Sequence, residues 1–252
     1  MVARLSRDSS DRERVQCDEI WAFVGAKQKN VRPEKREEGW GDVWTWVAID
    51  ADTKLVPTYH IGPRDIGEAI AFMNDLAKRL RHRIQLTTDG HVVYALAVSN
   101  AFKGGVDYAQ LIKMYGPDPE AERRYSPQVC TSITAKQMSG DPDPEHISTS
   151  YIERQNLTMR MSMRRFTRLT NAFSKKVENL TAAVSLHFAY YNFCRPHQSL
   201  KGKTPAMAAG IADHVWKLDE LSALLEEAEA VPVKRGSYSK TRNAKREAEI
   251  SE

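Results

Sequence analysis

Hydrophobic and polar residues alternate through the stretch 15–24. Val15, Cys17, Glu19, Trp21 and Phe23 fall on one side, and Gln16, Asp18, Ile20, Ala22 and Val24 on the other. A period of two is that of a β-strand. Two more strands are predicted over 43–50 and 54–61, with a turn at Asp52-Thr53 between them. Connections this short cannot cross over a sheet, so the three strands form an antiparallel meander. After Asp65, a residue suited to cap a helix, the period lengthens. Ile66, Ile70, Met73, Ala77 and Leu80 recur at helical spacing, which predicts a helix over 66–81. A short strand over 84–88 ends at Asp89-Gly90, a helix covers 92–100 and a fifth strand covers 106–112. The order βββαβαβ predicts an α/β fold on a mixed five-stranded sheet, three antiparallel strands followed by alternating α and β.

The pattern then lapses. Residues 115–149 carry Pro117, Pro119, Pro127, Pro142 and Pro144 and read as a long loop insertion. A helix begins near Tyr151, breaks around 170–174 and resumes over 177–193. Arg195-Pro196 stops it, because the proline ring excludes a helical predecessor and lacks a donor. Thr204-Pro205 has the form of a new helix start, and an acidic amphipathic helix is predicted over 216–230. The expected organisation is a flexible N-terminus over 1–13, one main domain over 14–211, a C-terminal helix over 212–233 and a basic flexible tail over 234–252.

Composition adds bounds. With 252 residues, 41% hydrophobic and 28% charged, the chain can bury a core. Cys17, Cys130 and Cys194 are far apart and form no C-x-x-C pair, which argues against a disulfide framework or zinc knuckle. The first residues lack the apolar core of a signal peptide, and no run approaches the roughly 18 apolar residues of a membrane span. A soluble cytoplasmic protein is the expectation.

The net charge of +4 is mild, so its distribution carries the information. From Tyr151 to Lys176 the only acid is Glu153, set against Arg154, Arg160, Arg164, Arg165, Arg168, Lys175 and Lys176. On this helix Asn156, Arg160, Arg164 and Arg168 share the face of Glu153, while Arg154 and Arg165 point elsewhere. Such a track suits DNA phosphates; a solvated charged face is the plain alternative. Two more acids stand out. Asp18 lies in an apolar strand, where an unpaired carboxylate is expensive and wants a cation. Asp89 closes a strand whose end opens toward the crevice of an α/β sheet. Taken singly, these acids are ordinary: a strand-edge charge, a turn and a helix-start residue. Glu19 falls on the opposite strand face from Asp18 and is not expected to be a ligand. Asp50 and Asp52 belong to a turn, and Glu145 is the alternative to Glu153.

The segments Cys17-Asp18-Glu19-Ile20-Trp21, Thr87-Thr88-Asp89-Gly90-His91 and Tyr151-Ile152-Glu153-Arg154-Gln155-Asn156 resemble the three acidic motifs of DDE-type insertion-sequence transposases. The basic run with Arg164-Arg165-Phe166 and Ala172-Phe173-Ser174 looks most like the IS-one group of that family. Asn192-Phe193-Cys194-Arg195-Pro196-His197-Gln198-Ser199-Leu200 is similar to a tail shared by many integrase-core transposases. The match covers roughly residues 14–211. It implies an RNase H-like fold with helices on both sheet faces and a C-terminal helical extension. It also implies neighbouring first and fourth strands, and a catalytic triad of Asp18, Asp89 and Glu153 holding two Mg2+ or Mn2+ ions. The implied reaction is cleavage and strand transfer on double-stranded DNA by a homo-oligomer associated with a prokaryotic nucleoid. Asn156, Arg160, Arg164, Arg168, Lys175 and Lys176 would contact the DNA, and His91 and His197 would support the site from behind. An RNase H-type nuclease and a non-catalytic DNA-binding remnant are the alternatives. Seventeen residues precede Asp18 without a cysteine or helix pair. The zinc-binding or helix-turn-helix segment usual in this group is therefore not expected here, and one reading is a truncated or split product.

Overall fold

The computed structural model describes residues 13–116, 129–167 and 170–228. It divides into two compact units, to Trp216 and from Lys217. In the first unit, β1 (Arg14–Val24), β2 (Gly41–Asp50) and β3 (Tyr59–Gly62) form the expected meander. A short helix, α1 (Pro33–Arg36), sits in the connection between β1 and β2. There follow α2 (Ile66–Arg79), β4 (Ile84–Asp89), α3 (Val92–Phe102), β5 (Val106–Gly116) and β6 (Val129–Ser139). The strand order is β3-β2-β1-β4-β5-β6. β1 runs antiparallel to β2 and parallel to β4, β4 runs parallel to β5, and β6 returns antiparallel to β5. This is an RNase H-like mixed sheet, with the first and fourth strands adjacent as the resemblance implied.

The sheet has six strands rather than the expected five. β5 runs on to Gly116, and β6 occupies part of the stretch read as a loop. The signal was missing because Thr131, Ile133, Ala135 and their neighbours in β6 are exposed on both faces. With no face to bury from Cys130 to Gln137, β6 has no hydrophobic period there and is held by its backbone ladder to β5. The third strand starts later than predicted, at Tyr59. The backbone of Val56 bonds instead to the Asn192 side chain, N–H to Oδ1 at 3.1 Å and C=O to Nδ2 at 3.0 Å.

Each sheet face has its own core. Val15, Cys17, Trp46 and Ala48 pack under α2 and α3, against Phe72, Met73, Leu76 and Tyr94. On the other face Ile20, Ala22, Val24, Val47 and Ile49 meet α4 (Ser150–Ser162) and α5 (Val177–Ala189) through Ile152, Met159, Leu180 and Phe188. Helices therefore cover both faces. Local chemistry sets their starts. The Asp65 carboxylate accepts the Glu68 N–H at 3.0 Å, and the Thr204 hydroxyl accepts the Met207 N–H at 3.2 Å at the head of α6 (Pro205–Ala208).

The basic helix does not continue as the arginine track required. α4 ends at Ser162, Met163 is extended, and Arg164–Phe166 is a 3-10 turn. The chain turns back to the sheet, where Ser174 bridges Val24 and accepts the Gly25 N–H at 2.8 Å. Phe166 is buried by this return. Burying it is worth about 2 kcal/mol, against a few tenths per residue for helix propensity. α5 passes into a π-helical turn, Tyr190–Cys194, that ends at Arg195 before Pro196.

In the second unit, α7 (Leu218–Ala228) starts where the Glu220 carboxylate accepts the Lys217 N–H at 2.8 Å. The expected flexible residues 1–12 and the basic tail 234–252 lie outside the described residues. Among the described residues, no helix is long and apolar enough to cross a membrane.

Candidate active site

Pairing of β1 with β4 stops at Cys17 opposite Thr88, while β1 continues beside β2 to Val24. The sheet splits there, and the next residues on each strand face the gap: Asp18 on β1 and Asp89 at the carboxyl end of β4. Crevices beyond the carboxyl ends of parallel strands are where such sheets bind ligands. Asp18, Asp89 and Glu153 all line one cleft of about 610 Å3, together with Arg64, His91, Lys113 and Thr149.

α4 is positioned by a residue that sequence reasoning missed. The buried Gln16 side chain points its Oε1 at the open start of the helix, where it accepts the Tyr151 N–H at 2.8 Å and the Ile152 N–H at 3.1 Å. These are donors that a helix start leaves unpaired. Gln16 and Asp18 share a strand face, so the residue that anchors α4 sits beside the residue that α4 serves. Asn156, one turn further on, is buried, and its Nδ2 donates to Asp18 Oδ2 at 2.9 Å. It holds an acid in place instead of lying on an outward DNA track.

Asp18, Glu19 and Asp89 each present an oxygen within 4.8 Å of the other two. Strand alternation sent Glu19 to the opposite face, and its side chain does leave on the α3 side. There it is only 2% exposed, accepts the Tyr94 hydroxyl at 2.9 Å and pairs with Arg64. Because no strand flanks β1 past Thr88, its carboxylate still reaches the gap. Glu153 stands across the cleft. It pairs with Lys113 and accepts the Thr149 hydroxyl at 2.6 Å, and its side chain is 46% exposed.

The acids crowd one another. Burial raises the Asp18 carboxyl to about 7, aided by the charges of Glu19, Asp89 and Glu153 and opposed by the Glu19 N–H, which donates at 2.8 Å. Burial and the Glu19 charge raise Asp89 to about 6, against the His91 N–H at 3.1 Å and Arg64, whose guanidinium lies 3.8 Å from Asp89. Among the described residues no cationic side chain is bonded to Asp18. This set, hard oxygens converging with surplus negative charge, fits a divalent cation such as Mg2+ or Mn2+.

The remaining expected residues scatter. His91 lines the cleft, but its ring Nδ1 accepts the Val93 N–H at 3.3 Å as the cap of α3. Burial and Arg64 lower its pKa. His197 lines a different hollow. Arg160 lies near the end of α4; Arg164, Lys175 and Lys176 are exposed on the turns after it. Arg165 instead donates to the Ser174 hydroxyl at 2.6 Å. Arg168 lies outside the described residues. Arg64, Tyr94, Lys113 and Thr149 were not anticipated, since only the fold brings them to the acids.

No family model matches the sequence, and no curated protein matches it. Among solved structures, the chain is similar to one in the simian T-cell lymphotropic virus intasome in complex with the PP2A regulatory subunit B56 gamma. The two are 13% identical with a TM-score of 0.42, over 93% of this chain and 64% of that one. It is also similar to a chain of the piggyBac transposase synaptic complex with hairpin DNA, at 12% identity and a TM-score of 0.39, over 88% and 55% of the two chains. A third likeness is to endonuclease V from Bacillus subtilis, 15% identical with a TM-score of 0.29, over 76% and 88%. The chain spans less than two thirds of the first two matched chains. The fold assignment stands on the strand order and directions above.

Proposed function

We propose that this chain is the catalytic part of a DDE-type transposase, a metal-dependent enzyme that cuts double-stranded DNA and joins the new 3′ end to another strand. The observation that carries the reading is the meeting of Asp18 and Asp89 from adjacent parallel strands, with Glu153 presented across the same cleft by α4. Asp18 and Asp89 would hold Mg2+ or Mn2+, with Glu153 completing a two-ion set. Divalent ions, when bound there, supply Lewis-acid stabilisation of phosphodiester oxygens and an activated hydroxyl nucleophile.

The protein's own groups have separable parts in this scheme. Asn156 fixes the rotamer of Asp18 through its amide N–H, and the Glu19 N–H fixes the other Asp18 oxygen. Lys113 and Arg64 balance the acids and stand at the cleft, where phosphate oxygens would enter. Because one phosphodiester replaces another in strand transfer, no energy source is required. The exposed Arg164, Lys175 and Lys176 would meet the duplex outside the cleft, and a homo-oligomer would pair two ends.

The test is incubation of the full chain with candidate element ends, target duplex and Mg2+ or Mn2+, read as 3′-end joining on denaturing gels. Joined products are expected. Asp89→Asn should abolish them while leaving duplex affinity within about tenfold, or 1.4 kcal/mol. Hydrolysis without joining would replace the reading with a nuclease. Metal and DNA binding without either product would replace it with a non-catalytic remnant. Products that survive Asp89→Asn would sink the metal assignment.

A further inference from the structure

Behind α4, away from the acids, lies a second hollow of about 680 Å3. Glu153 faces the carboxylate cleft, whereas Arg154, Gln155 and Thr158 line this one, so one helix separates the two. Its far wall is the loop Arg195-Pro196-His197-Gln198, and Lys54 closes one side.

Three observations concern what this hollow takes. First, three cationic side chains, Lys54, Arg154 and Arg195, line it with a single acid, Asp52, which is already bonded to Arg14. Second, Lys54 is held in place before any ligand arrives. Its backbone is left-handed at φ 61°, its ammonium donates to the Ala51 carbonyl, and it sits 3.3 Å from the centroid of the Tyr151 ring. Third, buried polar atoms along the hollow are unpaired. Gln155 is 2% exposed, yet its Nε2 has no hydrogen-bond partner, and His197 Nε2 has none either. A buried donor left unpaired costs about 1–3 kcal/mol, and native folds leave few without a reason. Burial and the charges of Arg195 and Lys54 lower the His197 pKa.

We propose that this hollow is a phosphate-binding site and, resting on the function proposed above, that its occupant is a backbone phosphate of a DNA strand bound alongside the catalytic cleft. A phosphodiester would bring negative charge to a hollow lined by Lys54, Arg154 and Arg195. Its acceptor oxygens match the donors of Gln155 and the two guanidinium groups. The volume also has room for the flanking sugars.

Four readouts on the full chain test the site. Inorganic phosphate is titrated while the Arg side-chain Nε–H resonances are followed, with the expectation that those of Arg154 and Arg195 shift. Duplex affinity is measured across salt concentrations for wild type and for Arg154→Gln with Arg195→Gln. Each phosphate that the protein ceases to neutralise lowers the log–log salt slope by about 0.9, so the double variant, losing one, should lose about 0.9 from the slope and bind at least about tenfold more weakly. Its Mn2+ affinity should not change, because the acids are untouched. Gln155→Met separates ligand binding from structure. Replacing an unpaired buried amide by an apolar group of similar shape should leave the melting temperature equal or higher, while the phosphate response weakens. A fall in melting temperature with an unchanged phosphate response would overturn the site, as would unshifted arginine resonances. Shifted resonances with an unchanged salt slope would overturn the assignment to a DNA strand. If wild type binds no duplex while phosphate still shifts the arginines, the DNA function falls and the phosphate site stands.

Discussion

Asp18→Asn should make the metal-free protein more stable above neutral pH. Burial and neighbouring charges raise the Asp18 carboxyl from 3.8 to about 7. Between those values the folded chain holds a proton that the unfolded chain has released, so stability falls as pH rises through this window and levels off above it. At 1.36 kcal/mol per tenfold change, the gap amounts to about 4 kcal/mol of destabilisation at pH 8. Asparagine has the same shape and no charge. Its carbonyl can still accept from Asn156 Nδ2, but its amide then faces the Glu19 N–H, which loses its acceptor at a cost of about 1–3 kcal/mol. The net gain is therefore about 1–3 kcal/mol, or roughly 2–12 °C in melting temperature for a chain of this size. Calorimetry in EDTA at pH 5 and pH 8 measures it, with the gain expected at pH 8 and fading by pH 5. Adding Mn2+ should reverse the order. Wild type gains about 4.1 kcal/mol at a thousandfold excess over Kd, and the variant gains little. A variant that melts below wild type at pH 8 in EDTA, or one that keeps the Mn2+ shift, would refute the reasoning that Asp18 is a crowded carboxylate awaiting a cation.

Two further outcomes are expected. Glu19→Gln keeps the size of a side chain that is 2% exposed and bonded to Tyr94 and Arg64. It should weaken Mn2+ binding by about tenfold, or 1.4 kcal/mol, and lower the pH at which Asp89 ionises; unchanged metal affinity by isothermal calorimetry would return Glu19 to a purely structural role. Arg164→Ala combined with Lys175→Ala and Lys176→Ala should reduce the salt slope of duplex binding by about 0.9 for each phosphate left without its cation. An unchanged slope would make these exposed residues a solvated surface.

The strand alternation and the helix starts show how far local signals reach. Strand alternation placed Asp18 with Ile20, Ala22 and Val24, and the structure puts those residues on the face that meets α4. Asp65 and Thr204 were legible as caps because a cap depends on side chains a few residues apart. The second half of the sheet was less legible. β6 is exposed from Cys130 to Gln137 and offers no periodicity there, so only its pairing with β5 identifies it.

What the sequence determined by itself is whatever depends on neighbours along the chain: the meander, the alternation that aims Asp18, the helix starts and the sign of charge after Glu153. The tertiary structure decided what depends on distance in space. The end of β1–β4 pairing at Cys17 and Thr88 opened the gap that admits Glu19 beside Asp18 and Asp89, although alternation alone excluded it. The return of the chain to Val24 broke the helix that would have aligned Arg160, Arg164 and Arg168. Gln16, Arg64, Lys113 and Gln155 gained their places through contacts with residues remote in sequence. Burial and backbone pairing outweigh the few tenths of a kcal/mol per residue that local propensity contributes. A one-dimensional pattern therefore set the strand face of Asp18, and the packed fold chose its company.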